Sequence, residues 1–207
     1  MLNAPDYLIN IYPNKTQVII GVLFELINDA AVVGIAVMLF PILKKHSESI
    51  ALGYVGFRII EAVIIIVGAI SLLLLLTLSQ EFVIAGAPDA SYFQTLGTLL
   101  LAARDWVFLL GPGIVFSLGA LMFYYLLYQS KLIPRFLSVW GLIGAPLLLA
   151  DAGLLGMFGH SPFSTISIFL NLPIAVNEMV LAVWLIVKGF NSSAIASESA
   201  KTDINEV

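Results

Sequence analysis

Ionisable side chains stand inside apolar stretches of this sequence, and the clearest case is Arg58 with Glu61. The two residues are three positions apart, which places them on the same face of a helix. They belong to the run 51–79, which is apolar enough and long enough to span a bilayer. An arginine at the centre of a membrane helix costs roughly 2.5–3.5 kcal/mol on insertion scales, so Arg58 needs an acidic partner. Glu61 or acids on neighbouring helices would supply it.

Further acids occur at a similar depth in other apolar runs. Glu25 and Asp29 are four residues apart and therefore share a helix face. Glu178 lies next to Asn177, a little past the middle of the last apolar run. Residues of this kind face the interior of a helix bundle or a wet cavity. We therefore predict that Arg58 forms one polar cluster with four acids, Glu25, Asp29, Glu61 and Glu178. Since one arginine cannot neutralise four acids, some of them should be protonated or bind a cation.

The same reasoning gives a set of candidate residues for binding a ligand or a proton. Asp105 and Asp151 lie nearer the membrane surface, where solvation or helix capping explains an acid equally well. No catalytic residue is predicted, because no nucleophile has an adjacent base and no cofactor motif is present. The candidates are Glu25, Asp29, Arg58, Glu61, Asp105, Asp151, Asn177 and Glu178.

The composition predicts an integral membrane protein. Of 207 residues, 60% are hydrophobic and 11% are charged, whereas a soluble domain has about a quarter charged residues. The net charge of −4, with no basic patch, argues against a nucleic-acid partner. There is no cysteine for a disulfide or a thiolate ligand. The two histidines, His46 and His160, fall in different loops, so neither a metal site nor a cofactor is predicted.

The pattern of apolar runs predicts an all-α fold, a polytopic transmembrane bundle of five spans. The expected spans are about 17–43, 50–78, 105–128, 136–157 and 163–187. Residues 79–103 should form a loop, and its second half, 91–103, is amphipathic enough for a helix that leads into the third span. The domain prediction is a lead at 1–16 that is irregular or lies at the interface, a transmembrane domain at 17–190, and a disordered tail at 191–207.

The basic residues predict how the spans are oriented. Five of them share one side of the membrane if the spans alternate: Lys44, Lys45, Lys131, Arg135 and Lys188. The positive-inside rule makes that side cytoplasmic, in the cell membrane, together with the C-terminal tail. The lead at 1–16 is then extracytoplasmic. Because no signal peptide is visible, an additional span upstream would explain an outside N-terminus.

Prolines and small residues predict local irregularity and close packing. Gly111-Pro112-Gly113 should loosen or break the third helix, either to line a cavity or as a kink that its neighbours tolerate. Gly141 and Ala145 form a small-residue face that favours close contact between helices. The segment from Lys131 to Arg135 is expected to be a turn that anchors the topology.

Three motifs in this chain together resemble a known family. They are Gly53-Tyr-Val-Gly-Phe-Arg-Ile-Ile-Glu-Ala62, the turn Ser130-Lys-Leu-Ile-Pro-Arg135, and Asn177-Glu178 with the stretch that ends at Lys188-Gly189. The chain is similar over about 17–190 to the multi-spanning family called domain of unknown function 4386. The resemblance implies a helical bundle in the cytoplasmic membrane of a bacterium or archaeon, without an assigned activity. It also implies one more span before the first one seen here.

Three functions are compatible with these residues. The first, which we favour, is binding or transport of a small solute, a proton or another cation at the buried arginine and carboxylates. With only five spans, such a protein is expected to form a homo-oligomer. The second is an intramembrane enzyme that acts on a lipid or quinone. The third is a structural or regulatory membrane partner, in which buried charge pairs only hold helices together. Acids that line a pocket would favour the first, and closed direct pairs the third.

Overall fold

The computed structural model describes residues 2, 6–86, 90–159, 164–192 and 194. Within those ranges every regular element is helical. In chain order the elements are α1 (Tyr7–Ile11), α2 (Lys15–Leu43), α3 (Glu48–Ile84), α4 (Ala90–Phe108), a first π-helical segment (Leu109–Val115), α5 (Phe116–Ser130), α6 (Arg135–Ala150), a second π-helical segment (Asp151–Leu155), a short 3₁₀ turn (Gly156–Phe158) and α7 (Thr165–Val187).

Five helical stretches of the described chain are long and apolar enough to cross a membrane. They are Lys15–Leu43, Glu48–Ile84, Ser91–Ser130, Arg135–Phe158 and Thr165–Val187. Each exceeds the roughly 20 residues that a bilayer core requires. The predicted fold class, an all-α polytopic bundle of five spans, is confirmed.

The third span begins earlier than predicted. It covers 40 residues, because α4, the first π-helical segment and α5 follow one another without a break. The predicted loop at 79–103 was wrong at its start, because α3 continues to Ile84, whereas the predicted helix in its second half, leading into the third span, is present as part of α4. Polar residues in its second half remain compatible with a helix because the hydroxyls of Thr95 and Thr98 donate to the carbonyls of Ser91 and Gln94, one turn earlier. As a consequence, Arg104 and Asp105 lie inside a long helix instead of at its start.

Part of the polar lead, Tyr7–Ile11, is helical, where the sequence predicted a segment that is irregular or lies at the interface. Tyr7, Leu8 and Ile11 of α1 are buried. The Ser79 hydroxyl joins α3 to this region: it accepts from the backbone N–H of Tyr12 at 2.9 Å and donates to the Leu8 carbonyl at 2.6 Å. The extracytoplasmic location of the lead at 1–16 stays a prediction. The predicted disordered tail, apart from residues 191, 192 and 194, lies outside the described residues, as does His160.

The described residues belong to two compact units. The first unit comprises Met1–Val32 and Glu61–Pro112, and the second comprises Val33–Ile60 and Gly113–Val207. The core of the first unit is formed by α1 and the parts of α2 and α3 that belong to it, including Ile11, Val22 and Leu75. The core of the second is built mainly from α5, α6 and α7 around aromatic and leucine side chains, including Tyr54, Tyr124, Leu127, Leu137 and Leu181.

Small residues bring α6 close to its neighbours in the second unit. A Cβ at Gly144 would lie 3.0 Å from the backbone of Ile174 in α7, and one at Gly141 would overlap the ring of Tyr124 in α5. Ala145 is fully buried. The predicted close packing of this face is confirmed.

The first π-helical segment corresponds to the predicted irregularity in the third span. Proline has no N–H to continue the α-helical hydrogen bonds, and Leu109–Val115 takes a wider helical turn around Pro112. The Ser117 hydroxyl donates to the Gly113 carbonyl at 2.6 Å, so part of the backbone is satisfied locally. The prediction was that this segment loosens or breaks the third helix. The structure shows that the helix is loosened and does not break.

Candidate functional site

Three helices of the first unit contribute charged groups to one region. Glu25 and Asp29 stand one turn apart on α2, Glu61 stands on α3, and Arg104 stands on α4. We call these four residues the acidic cluster. It contains three carboxyl groups and one guanidinium.

Glu25 and Arg104 form a two-pronged ion pair. Arg104 Nη2 donates to Glu25 Oε1, and Arg104 Nη1 donates to Glu25 Oε2 at 3.4 Å. Arg104 Nη1 also donates to the Gly68 carbonyl of α3 at 3.3 Å, and the guanidinium carbon lies 5.0 Å from the centre of the Phe108 ring. Arg104 thereby connects α4 to both α2 and α3. Bidentate pairs of this kind are among the stronger charged hydrogen bonds.

Asp29 has no comparable partner. Its exposed fraction is 3%, and neither carboxyl oxygen has a hydrogen-bond donor among the described residues. The carboxyl groups of Glu25 and Glu61 act on it electrostatically, and Glu61 is itself 6% exposed. A buried carboxylate without a donor is costly, and two more acids nearby raise that cost.

Two glycines allow the helices around the acidic cluster to approach. A Cβ at Gly68 would lie 2.8 Å from Val107 Cγ1, so a side chain there would push α4 away from the Gly68 carbonyl that Arg104 contacts. A Cβ at Gly111 would lie 3.1 Å from Ile64 Cγ2 and 3.7 Å from the Glu61 carbonyl. The first π-helical segment therefore lies directly against the turn of α3 that carries Glu61.

Arg58 lies in the second unit, among aromatic rings. Its guanidinium carbon is 4.9 Å from the centre of the Phe116 ring and 5.8 Å from that of Tyr54. Tyr124 is buried in the same core as Tyr54, and its ring centre lies 5.4 Å from that of Phe123. Cation–π contacts stabilise a guanidinium most where water is absent. Aromatic rings thus supply part of the compensation that the sequence analysis assigned to acids.

Two other polar candidates connect α7 to the chain before it. Asn177 is fully buried, and its Nδ2 donates to the Leu137 carbonyl at 3.0 Å. Asp151 is buried at the start of the second π-helical segment, and its Oδ2 accepts from Asn171 Nδ2 at 2.9 Å. Both contacts join α7 to neighbouring helical turns, which is sufficient to explain a polar residue inside a bundle.

The eight predicted candidates divide evenly between the two units. Glu25, Asp29, Glu61 and Asp105 belong to the first, and Arg58, Asp151, Asn177 and Glu178 belong to the second. Asp105 and Glu178 are exposed on their helices. That all the buried charges share one site stays a prediction.

The role of Arg104 was not predicted from the sequence. Counting a single arginine for the buried acids was wrong, because Arg104 pairs with Glu25. The error followed from starting the third span at 105. A signal was present, since residues 91–111 contain no proline that would end a helix.

The chemistry open to the acidic cluster follows from its contents. Within the described ranges, no group of three or more His, Cys, Asp or Glu side chains is arranged to hold a metal ion. Asp29 can instead take up a proton or accept hydrogen bonds from a donor on a ligand.

The five apolar spans and the buried charges define a polytopic helical membrane protein. More specifically, the chain belongs to the family described as Domain of unknown function (DUF4386), whose profile matches residues 1–189. No curated protein and no solved structure matches the chain.

Proposed function

We propose that the protein binds and transports a small solute together with a proton, and that Asp29 carries the proton. The observation that supports this is the burial of Asp29 without a hydrogen-bond donor on either carboxyl oxygen among the described residues. Burying an isolated ionised carboxylate costs far more than burying a neutral carboxyl group, so such groups change protonation state instead. A proton is the smallest occupant that removes the charge.

The contacts of Arg104 support the same proposal. Its Nη atoms donate to Glu25 and to the Gly68 carbonyl. The guanidinium is thus committed to another carboxylate, and it gives Asp29 no hydrogen bond. Ionisable groups inside a membrane bundle are frequently parts of proton relays or solute pathways.

The first π-helical segment, the irregular part of the third span, lies beside the acidic cluster. Gly111 of this segment lies against the backbone of Glu61. Single π-helical turns occur often at functional sites, and their hydrogen bonds are less regular than those of an α-helix. A transport cycle requires part of the bundle to move so that a path opens and closes, and an irregular turn beside the acidic cluster suits that movement.

A structural or regulatory role is the second candidate, and the Glu25–Arg104 pair favours it. That pair joins α2 to α4 and would specify which helices meet. It does not explain why Asp29 is buried without a donor. The remaining candidate, an enzyme that acts on a lipid or quinone, receives no specific support from the contacts of the acidic cluster.

Proton flux into liposomes tests the proposal. Purified protein is reconstituted with an entrapped pH dye, and a potassium diffusion potential is imposed in the presence of defined mixtures of amino acids, sugars or organic cations. With at least one mixture, the wild type should acidify the lumen faster than protein-free liposomes. Asp29→Asn should reduce the flux to the protein-free level, because an amide takes up no proton in this range.

Asp6→Asn is the matched control for this experiment. It makes the same chemical change at an exposed residue that precedes α1 and makes no side-chain capping bond. It should keep the wild-type flux. Equal fluxes for the wild type and Asp29→Asn, or no wild-type flux above protein-free liposomes with any mixture, would contradict the proposal.

We also propose that the protein resides in the cytoplasmic membrane of the cell with its C-terminus in the cytoplasm, and that it works as a homo-oligomer. Support for the orientation comes from Lys131, Arg135 and Lys188, which line one pocket at the same end of the second unit. The small number of spans supports the oligomer.

A further inference from the structure

An open pocket of about 510 Å³ lies at one end of the second unit. The loop between α5 and α6 forms one wall, and the last turn of α7 with the residues after it forms the other. These walls contain two of the motifs on which the family resemblance was based, Ser130 to Arg135 and the stretch ending at Gly189. The acidic cluster is in the other unit, so an inference about this pocket does not depend on Asp29.

The pocket has a strongly positive lining. Lys131, Arg135 and Lys188 are all exposed there, and no acid is among the described lining residues. None of the three forms an ion pair with a residue that the structure describes. Arg135 instead makes a cation–π contact, since its guanidinium carbon lies 5.3 Å from the centre of the Tyr128 ring. Three positive charges gather here although the chain as a whole has a net charge of −4.

Backbone geometry holds the two walls together. The N–H of Asn191 donates to the Leu132 carbonyl at 2.9 Å, which attaches the chain after α7 to the α5–α6 loop. Lys131 has a φ of 55° and Gly189 a φ of 69°, the left-handed conformation in which α5 and α7 end. Leu132 and Ile133 are buried beneath. The lysine and arginine side chains therefore project from an anchored backbone.

The position of the pocket relates it to the membrane surface. It lies where three apolar helices begin or end, and Trp184 lines it, as expected for an aromatic residue at the interface. Beside it on α7, Val183, Ile186 and Val187 expose apolar side chains that suit contact with acyl chains. Basic pockets between helix ends attract the head groups of anionic lipids.

We propose that this pocket binds the phosphate group of an anionic membrane lipid. Arg135 and the two lysines contact the phosphate oxygens, and the acyl chains lie along the exposed apolar face of α7. Arginine suits this role because its guanidinium matches two phosphate oxygens at once, while lysine contributes as a point charge.

Native mass spectrometry of the full chain in a zwitterionic detergent tests the proposal. Phosphatidylglycerol, phosphatidylcholine or inorganic phosphate is titrated in separate arms. The wild type should retain one phosphatidylglycerol per chain more tightly than phosphatidylcholine. The double variant Arg135→Gln with Lys188→Gln should bind phosphatidylglycerol roughly 25-fold more weakly, at about fivefold for each interfacial basic residue.

Lys44→Gln with Lys45→Gln is the matched control. It removes the same number of positive charges at exposed residues outside the pocket lining, and its affinity should stay within about twofold of the wild type. All the substituted residues are exposed, and both doubles should keep the wild-type melting temperature without lipid.

The remaining outcomes decide the matter. Equal binding of phosphatidylglycerol and phosphatidylcholine by the wild type, or equal losses in the pocket and control doubles, would overturn the proposal. Binding of inorganic phosphate without binding of phosphatidylglycerol would overturn the lipid assignment and identify a soluble anion as the occupant. Displacement of the bound lipid by millimolar phosphate would support recognition through the phosphate group.

Discussion

Replacing Glu25 with leucine should lower the free energy of unfolding by about 3–5 kcal/mol, because it leaves a largely buried guanidinium without its carboxylate. The side chains of Arg104 and Glu25 are 14% and 25% exposed, so water can compensate only in part. The other acceptor of Arg104, the Gly68 carbonyl, carries no full charge. Titration of the purified protein from mild detergent into a denaturing one measures the effect.

The double variant Glu25→Leu with Arg104→Leu separates charge from packing. Replacing both members of a buried ion pair with apolar side chains is often close to neutral, so the double variant should recover most of the stability. If the double variant is as unstable as Glu25→Leu alone, the loss comes from packing, and the ion pair does not have the role assigned to it.

Gly141→Ala should lower the free energy of unfolding by about 2–3 kcal/mol, at the upper end of the range for overpacking. The added Cβ would overlap ring atoms of Tyr124, whose side chain is 2% exposed and cannot move into solvent. To accommodate the methyl group, α6 would have to move away from α5. Loss of stability in the same detergent titration measures this cost.

Gly34→Ala is the control for that prediction. Gly34 also lies inside a helix of the second unit, but a Cβ there meets nothing within 4 Å. Alanine has a helix propensity about 1 kcal/mol better than glycine, so this variant should be neutral or slightly stabilised. Similar effects of the two substitutions would show that Gly141 is not needed for close packing.

The sequence was sufficient to predict what depends on hydropathy. Runs of about 20 apolar residues are local signals, which is why the number of spans and the all-α class were correct. The limits of the third span were wrong because residues 91–103 mix polar and apolar side chains. Their helical state depends on hydroxyl-to-carbonyl bonds and on tertiary packing, and hydropathy averages over both.

The partners of the buried charges were much harder to predict. Spacing correctly placed Glu25 and Asp29 on one face of α2, but it contains no information about the rotation of one helix against another. In the structure that rotation pairs Arg104 with Glu25, while Asp29 has no hydrogen-bond donor among the described residues. It also places Arg58 against the ring of Phe116, which is remote in the sequence. The contact of Arg58 with Tyr54 is different, because the two residues are four positions apart on α3 and share a face.

Infrared difference spectroscopy tests the central claim, that Asp29 is a neutral carboxylic acid. Spectra of the wild type and of Asp29→Asn are compared at neutral pH, in H₂O and in D₂O. The wild type should have a carbonyl stretching band of a protonated carboxyl group, sensitive to deuterium, that is missing from the variant. If the variant instead loses the paired stretching bands of an ionised carboxylate, Asp29 is charged and the account is contradicted.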